Sequence, residues 1–204
     1  MRLYEDRSAP NPRRVRVFMA EKGLTDIEFV PVSIADGGVL SEGFLRRNPL
    51  AQVPVLELDD GSCLSDSMAI CRYLEYLHPT PALFGEPGLG AARVEMWNRR
   101  MEFEIFWPIA SVFRHQHPFF KGKHPQVAEF GDVSRDHAEK RLDWLDRELA
   151  DGRPYIAGET FSVADITALC GIDFGRVSRI RVGDARPNLA RWYAAVSARP
   201  SAQA

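Results

Sequence analysis

The stretch Val53-Pro54-Val55-Leu56-Glu57-Leu58, the turn Asp59-Asp60-Gly61, the short run Ser62-Cys63-Leu64 and then Ser65-Asp66-Ser67 lead into an amphipathic segment ending near Leu77. Proline has no N–H to give a sheet ladder, so Pro54 heads a strand and bends it, with a cis bond to Val53 as one way to do so. The backbone of Val53 is thereby free for a ligand. Ile70, Tyr73, Leu74 and Leu77 repeat at helical spacing. Ser65 is the expected N-cap of that helix, with Asp66 and Ser67 in its first turn. A helix start with free N–H groups suits a carboxylate, and an adjacent Asp66 suits an ammonium. An α-amino acid head group carries that pair of charges. The competing reading is that Asp66 and Ser67 only cap the helix and complement its dipole.

Asn48-Pro49-Leu50-Ala51-Gln52-Val53-Pro54-Val55-Leu56, followed by Leu64-Ser65-Asp66-Ser67-Met68-Ala69-Ile70, resembles the glutathione-binding half of the cytosolic glutathione transferases. The resemblance implies that the backbone of Val53 pairs with the cysteinyl unit of glutathione. It also implies that Asp66 and Ser67 hold the γ-glutamyl head, with Gln52 beside them. Many members carry Glu or Gln where Asp66 stands, so the acid here is one methylene shorter.

Working outward, residues 1–5 read as a strand and 6–10 as a polar turn. Residues 12–22 form a helix with Asn11 as its expected N-cap, Pro12 at its first position, and Val15, Phe18 and Met19 buried. A second strand follows at 27–32 and a short helical stretch at 41–47. The order β-α-β, α, β-β-α with a proline heading the third strand is the thioredoxin-like arrangement that the resemblance also implies. Three prolines and three glycines in residues 78–90 break regular structure. The expected division is a thioredoxin-like domain over 1–78, a linker over 79–90 and an all-α domain over 91–204. The fold class is therefore α+β.

In the second region Val94, Trp97, Met101, Ile105, Ile109 and Val112 trace a long helix that Pro108 should kink. Residues 115–131 read as a loop, and Ala138, Leu142, Leu145 and Leu149 as another helix. Ser162, three residues before Asp165, is a capping box. A capping signature inside the helical domain also recurs in the transferase family, so the resemblance extends to both halves. A last helix opens at Pro187.

A net charge of -2 with no long basic run argues against nucleic acid or an anionic membrane as the main partner. No apolar run is long enough to span a bilayer, the chain begins directly on a strand, and a cytoplasmic location is expected. Cys63, Cys71 and Cys170 are odd in number and set among apolar residues, as reduced thiols are. The five histidines have no ligand spacing, and no metal is expected.

Glutathione chemistry requires the thiolate, whereas a free thiol with a pKa of about 8.5 is mostly protonated at neutral pH. The family places the activating group at the start of the first helix. The candidates there are Ser8 and Asn11, the second in a Pro10-Asn11-Pro12 run similar to that of members that reduce disulfides. Tyr4 is a third, although strand alternation favours a packing role for it. No cysteine occupies this loop, so the reacting sulfur is the ligand's. A pocket for a flat or apolar second substrate is expected around Phe103, Phe106, Trp107 and Phe113, although aromatics at this density also build cores. The resemblance implies a homodimeric transferase, active in detoxification, that conjugates glutathione to small electrophiles. The alternatives are a glutathione-dependent disulfide or peroxide reductase and a non-catalytic scaffold or regulator.

Overall fold

β1 (Arg2–Glu5), β2 (Glu28–Pro31), β3 (Val55–Glu57) and β4 (Cys63–Ser65) form one sheet in the order β2-β1-β3-β4. β1 runs parallel to β2, with Leu3 opposite Phe29, and antiparallel to β3, with Leu3 opposite Leu56. β4 returns antiparallel to β3, with Leu56 opposite Leu64. Leu3, Val55 and Leu56 are fully buried, as strands covered by helices require. These coordinates come from a computed structural model that describes residues 1–204.

Around the sheet lie α1 (Pro10–Lys22), α2 (Glu42–Arg47) and α3 (Ser67–Leu77). Together with residues 200–204 they complete a first unit comprising 1–82 and 200–204. The expected element order holds, but two helix starts move. α1 begins at Pro10, not Pro12, and the N-cap position is Ala9, so Asn11 lies in the first turn and caps nothing. Both prolines suit a first helical position, and the chain uses the earlier one. The cap of α3 is Asp66, not Ser65, because Ser65 is still paired with Val55 in the sheet. α1 is buried beyond its apolar stripe: Arg14 and Arg16 are covered along with Val15, Val17, Phe18 and Met19. Arg16 pairs with Glu5 of β1, and Lys22 reaches Glu75 of α3 at 2.5 Å.

The last residues, which the sequence groups with the helical region, pack on α1: Arg13 donates to the Ala202 carbonyl at 2.9 Å, and Ser201 donates to Glu21.

The second unit, residues 83–199, holds α4 (Leu89–Arg100), α5 (Trp107–Gln116), α6 (Ala128–Glu148), α7 (Val163–Phe174) and α8 (Pro187–Ser197). Leu83 and Phe84, read from sequence as linker, are buried in it, and the Leu83 carbonyl accepts from Val163 N–H at 2.9 Å. Ten residues of α7 are buried, so its start needs internal partners. Asp165 supplies them, accepting from Ser162 N–H at 3.0 Å, Ile156 N–H at 2.9 Å and Trp192 Nε1 at 2.8 Å. α6 begins at Ala128, so the loop read over 115–131 is shorter than expected and contains a 3-10 turn, Pro118–Phe120.

Between α4 and α5 the chain makes a π-helical stretch, Met101–Phe106, in which Trp107 N–H bonds to the Glu102 carbonyl five residues back. This widened turn lies directly before Pro108, where an α-turn would press the preceding carbonyl against the proline ring. The break expected at Pro108 is thus taken up in the turn ahead of it.

Candidate functional site

The candidate residues of the first unit lie on three segments: the β1–α1 loop, the approach to β3, and the start of α3. The loop is fixed by Asp6. Its Oδ1 accepts from Ser8 N–H at 3.0 Å and from the Ser8 hydroxyl at 2.6 Å, while Oδ2 accepts from Ile34 N–H at 2.9 Å. Burial alone would raise the Asp6 pKa, but these hydrogen bonds and nearby Arg16 outweigh it and hold the carboxyl below its usual range. Arg16 steadies the same loop by donating to the Arg7 carbonyl at 3.0 Å. The Ser8 proton is therefore committed to Asp6.

Asn11 is exposed at the start of α1, with Pro10 and Pro12 on either side. Neither proline has an N–H, and Arg13 N–H turns back to Ala9 at 3.4 Å. The first turn thus offers one unspent backbone donor, Asn11 N–H, beside the Asn11 amide. Tyr4 points elsewhere: its hydroxyl donates to Glu57 at 3.2 Å, and the Arg47 guanidinium lies 4.6 Å from its ring centroid. Arg47 in turn bonds to Glu57 at 2.5 Å and holds that carboxyl below its usual range.

The Val53–Pro54 bond is cis, and Val53 precedes the ladder, whose first register pairs begin at Val55. Gln52 is exposed, and its carbonyl accepts from the Asn48 amide at 2.8 Å.

Asp66 Oδ1 accepts from both Met68 and Ala69 N–H at 2.9 Å, and Ile70 N–H bonds to the Asp66 carbonyl at 3.0 Å. The Ser67 N–H remains without a partner in the protein, as does Asp66 Oδ2. The Asp66 backbone has φ 101 and ψ 122, outside the regions an L residue favours. Such conformations concentrate at functional sites. Ser67 is 4% exposed, and its Oγ accepts from Arg14 Nη1 at 3.3 Å. One start of helix thus presents a free carboxylate oxygen, a free N–H and a serine hydroxyl.

The four aromatics expected around a second substrate separate into two kinds. Trp107 and Phe103 are 62% and 49% exposed, whereas Phe106 is 5% exposed. Phe106 meets Phe174 edge to face and lies over Gly171, where a Cβ would come within 3.0 Å of it. Phe113 stacks in a cluster with His117, Phe119, Phe120 and Phe174. Two residues of the first unit escape the sequence reading, Asp6 and Arg14. Asp6 could have been found from the Asp-x-Ser spacing of an Asx-turn; Arg14 has no comparable signal, being one of several arginines on its helix.

Comparison with known proteins shows which family the chain falls in. The glutathione S-transferase N-terminal domain matches residues 9–77, and the corresponding C-terminal domain matches residues 107–200. Glutathione S-transferase 2 of Saccharomyces cerevisiae is 36% identical over 207 residues, covering 98% of this chain and 87% of that protein. The crystal structure of Gtt2 from Saccharomyces cerevisiae superposes with a TM-score of 0.93 at 34% identity, covering 100% of this chain and 99% of that one. A class Gtt2 glutathione S-transferase of Vibrio parahaemolyticus gives 0.87 at 38% identity, covering 100% and 96%. The chain belongs to the glutathione S-transferase family.

Proposed function

We propose that this chain is a glutathione transferase that conjugates the thiol of glutathione to small apolar electrophiles and works as a homodimer. The observation that carries the reading is the division of labour at the start of α3. One Asp66 oxygen is spent on the cap, while the other oxygen, the Ser67 N–H and the proton of the Ser67 hydroxyl, whose oxygen accepts from Arg14, are left over. An acceptor of full negative charge beside two donors matches the ammonium and carboxylate of a γ-glutamyl head group. The cap and the ligand site are thus the same carboxylate used twice.

With the head group held there, the cysteinyl backbone pairs with Val53, flanked by Gln52, and the sulfur is directed to the start of α1. Asn11 is the preferred partner for the thiolate, because its N–H and amide are unspent whereas Ser8 gives its proton to Asp6. Donors at a helix start favour the anion and lower the thiol's pKa. The thiol proton leaves to solvent, the thiolate attacks the electrophilic carbon, a C–S bond forms, and a leaving group such as chloride departs with its bonding electrons. No protein cysteine enters the step. For the second substrate, exposed Trp107 and Phe103 are the proposed contacts, with Phe106 and Phe113 in the packed aromatic layer that supports them.

The test is retention on immobilised glutathione, followed by two assays on the eluted protein. One follows thioether formation from an aryl chloride, the other glutathione-dependent reduction of a small disulfide. Retention with thioether formation dominant supports conjugation. Disulfide reduction alone assigns the reductase alternative, and passage through the column with neither activity assigns the scaffold alternative.

A further inference from the structure

Arg14 lies in the second turn of α1, is 2% exposed, and donates from Nη1 to Ser67 Oγ. We infer that Arg14 is a positioning residue for glutathione, acting through Ser67 on the γ-glutamyl carboxylate; the inference rests on the reading of Asp66 and Ser67 given above. A serine hydroxyl is a free rotor with one proton and two lone pairs, so by itself it has no fixed role toward a ligand. Guanidinium has donors only. Facing it, Ser67 must present a lone pair, and its proton is turned away from Arg14 and becomes available to an acceptor. Ser67 N–H, the unspent backbone donor of the same residue, adds the second hydrogen bond that a carboxylate takes.

The start of α3 is the positive end of its dipole and adds to the attraction for an anion there. Arg14, acting through the Ser67 hydroxyl, makes the site read the carboxylate in particular, and its effect should disappear for a ligand that lacks one.

Glutathione and γ-aminobutyryl-cysteinylglycine, which lacks only the γ-glutamyl carboxylate, are the two probes. Binding is measured by calorimetric titration of the whole protein. Arg14→Gln is expected to weaken glutathione about tenfold, the size of one charge-assisted hydrogen bond, and to leave the affinity for the analogue unchanged. KM should rise while kcat stays level, as for an interaction kept equally in ground and transition states. Arg14→Lys retains one donor and is expected to recover part of the loss. In a Ser67→Ala background Arg14→Lys should have no further effect, since the two act as one unit.

If Arg14→Gln does not fold, Arg14→Lys decides alone: a loss confined to glutathione supports the inference, and equal losses for both probes overturn it. Glutathione affinity that is unchanged in both Arg14 variants while Ser67→Ala weakens it also overturns the inference and leaves the γ-glutamyl site standing. Unchanged affinity in Ser67→Ala removes that site itself, and the inference with it.

Discussion

Replacing Asp66 with asparagine separates the two tasks proposed for one carboxylate. Its Oδ1 takes two N–H groups, each at 2.9 Å, and an asparagine carbonyl can take the same two. Asparagine and aspartate cap helices about equally well, so stability should change by less than about 0.5 kcal/mol. The atom at Oδ2 becomes an amide nitrogen, a donor turned toward an ammonium. Losing a charge-assisted bond of about 1.5–3 kcal/mol raises Kd for glutathione roughly 10- to 100-fold.

Asp66→Gly approaches the same point from the other side. At φ 101 an L residue is strained by roughly 1–3 kcal/mol, and glycine is not. The loss of a cap to glycine is only about a few tenths of a kcal/mol. The glycine variant should therefore be as stable as the parent or more so, while binding glutathione no better than Asp66→Asn. Calorimetric titration gives the affinities and urea unfolding the stabilities. Unchanged affinity in Asp66→Asn, or affinity that falls only in step with stability, would refute the reasoning and leave Asp66 as a cap alone.

Three further expectations concern other parts of the chain. Asn11→Ala should raise the pKa of bound glutathione, read as thiolate absorbance against pH, with Ser8→Ala mild; the reverse order assigns the donor role to Ser8. Burial pushes the Asp165 carboxyl up to about 6, against the hydrogen bonds it accepts. The folded state therefore holds that proton more tightly than the unfolded chain. The resulting stability, roughly 3 kcal/mol in all, is fully present below about pH 4 and lost as pH rises through about 6. Urea unfolding from about pH 4 to 7.5 should show this relative to Asp165→Asn, and a pH-independent difference between the two proteins would count against it. Light scattering at micromolar concentration should give twice the 23.0 kDa of one chain, and the single-chain mass would overturn the homodimer.

Spacing of apolar residues and the position of Pro54 make the element order of the first unit legible, because these depend on patterns that many residues share. The exact starts of α1 and α3 depend on single backbone angles. Ser65 is a good capping residue by type, yet sheet pairing with Val55 claims it, and the turn passes to Asp66. Asn11 likewise has the side chain of a cap but follows Pro10 into the helix. Asp66 and Ser67 were legible as a pair through their motif, whereas the hydroxyl bond from Arg14 was not. Helical periodicity treats an arginine as solvent-facing, whereas packing in the folded unit buries this one against Ser67 of α3. The π-helical stretch is invisible for a similar reason, since one residue more in a turn leaves the apolar spacing nearly unchanged.

The packing of residues 200–204 on α1 bears on the order in which the chain can mature. Arg13 and its partner Ala202 are 189 residues apart, and Ser201 meets Glu21 across 180. During synthesis, everything from Met1 to Ala82 leaves the ribosome long before the segment that covers this side of α1 has been made. Ser201 and Ala202 are both buried at that surface. The unit begun first is thus the one finished last, and in the interval its uncovered helix face is available to chaperones.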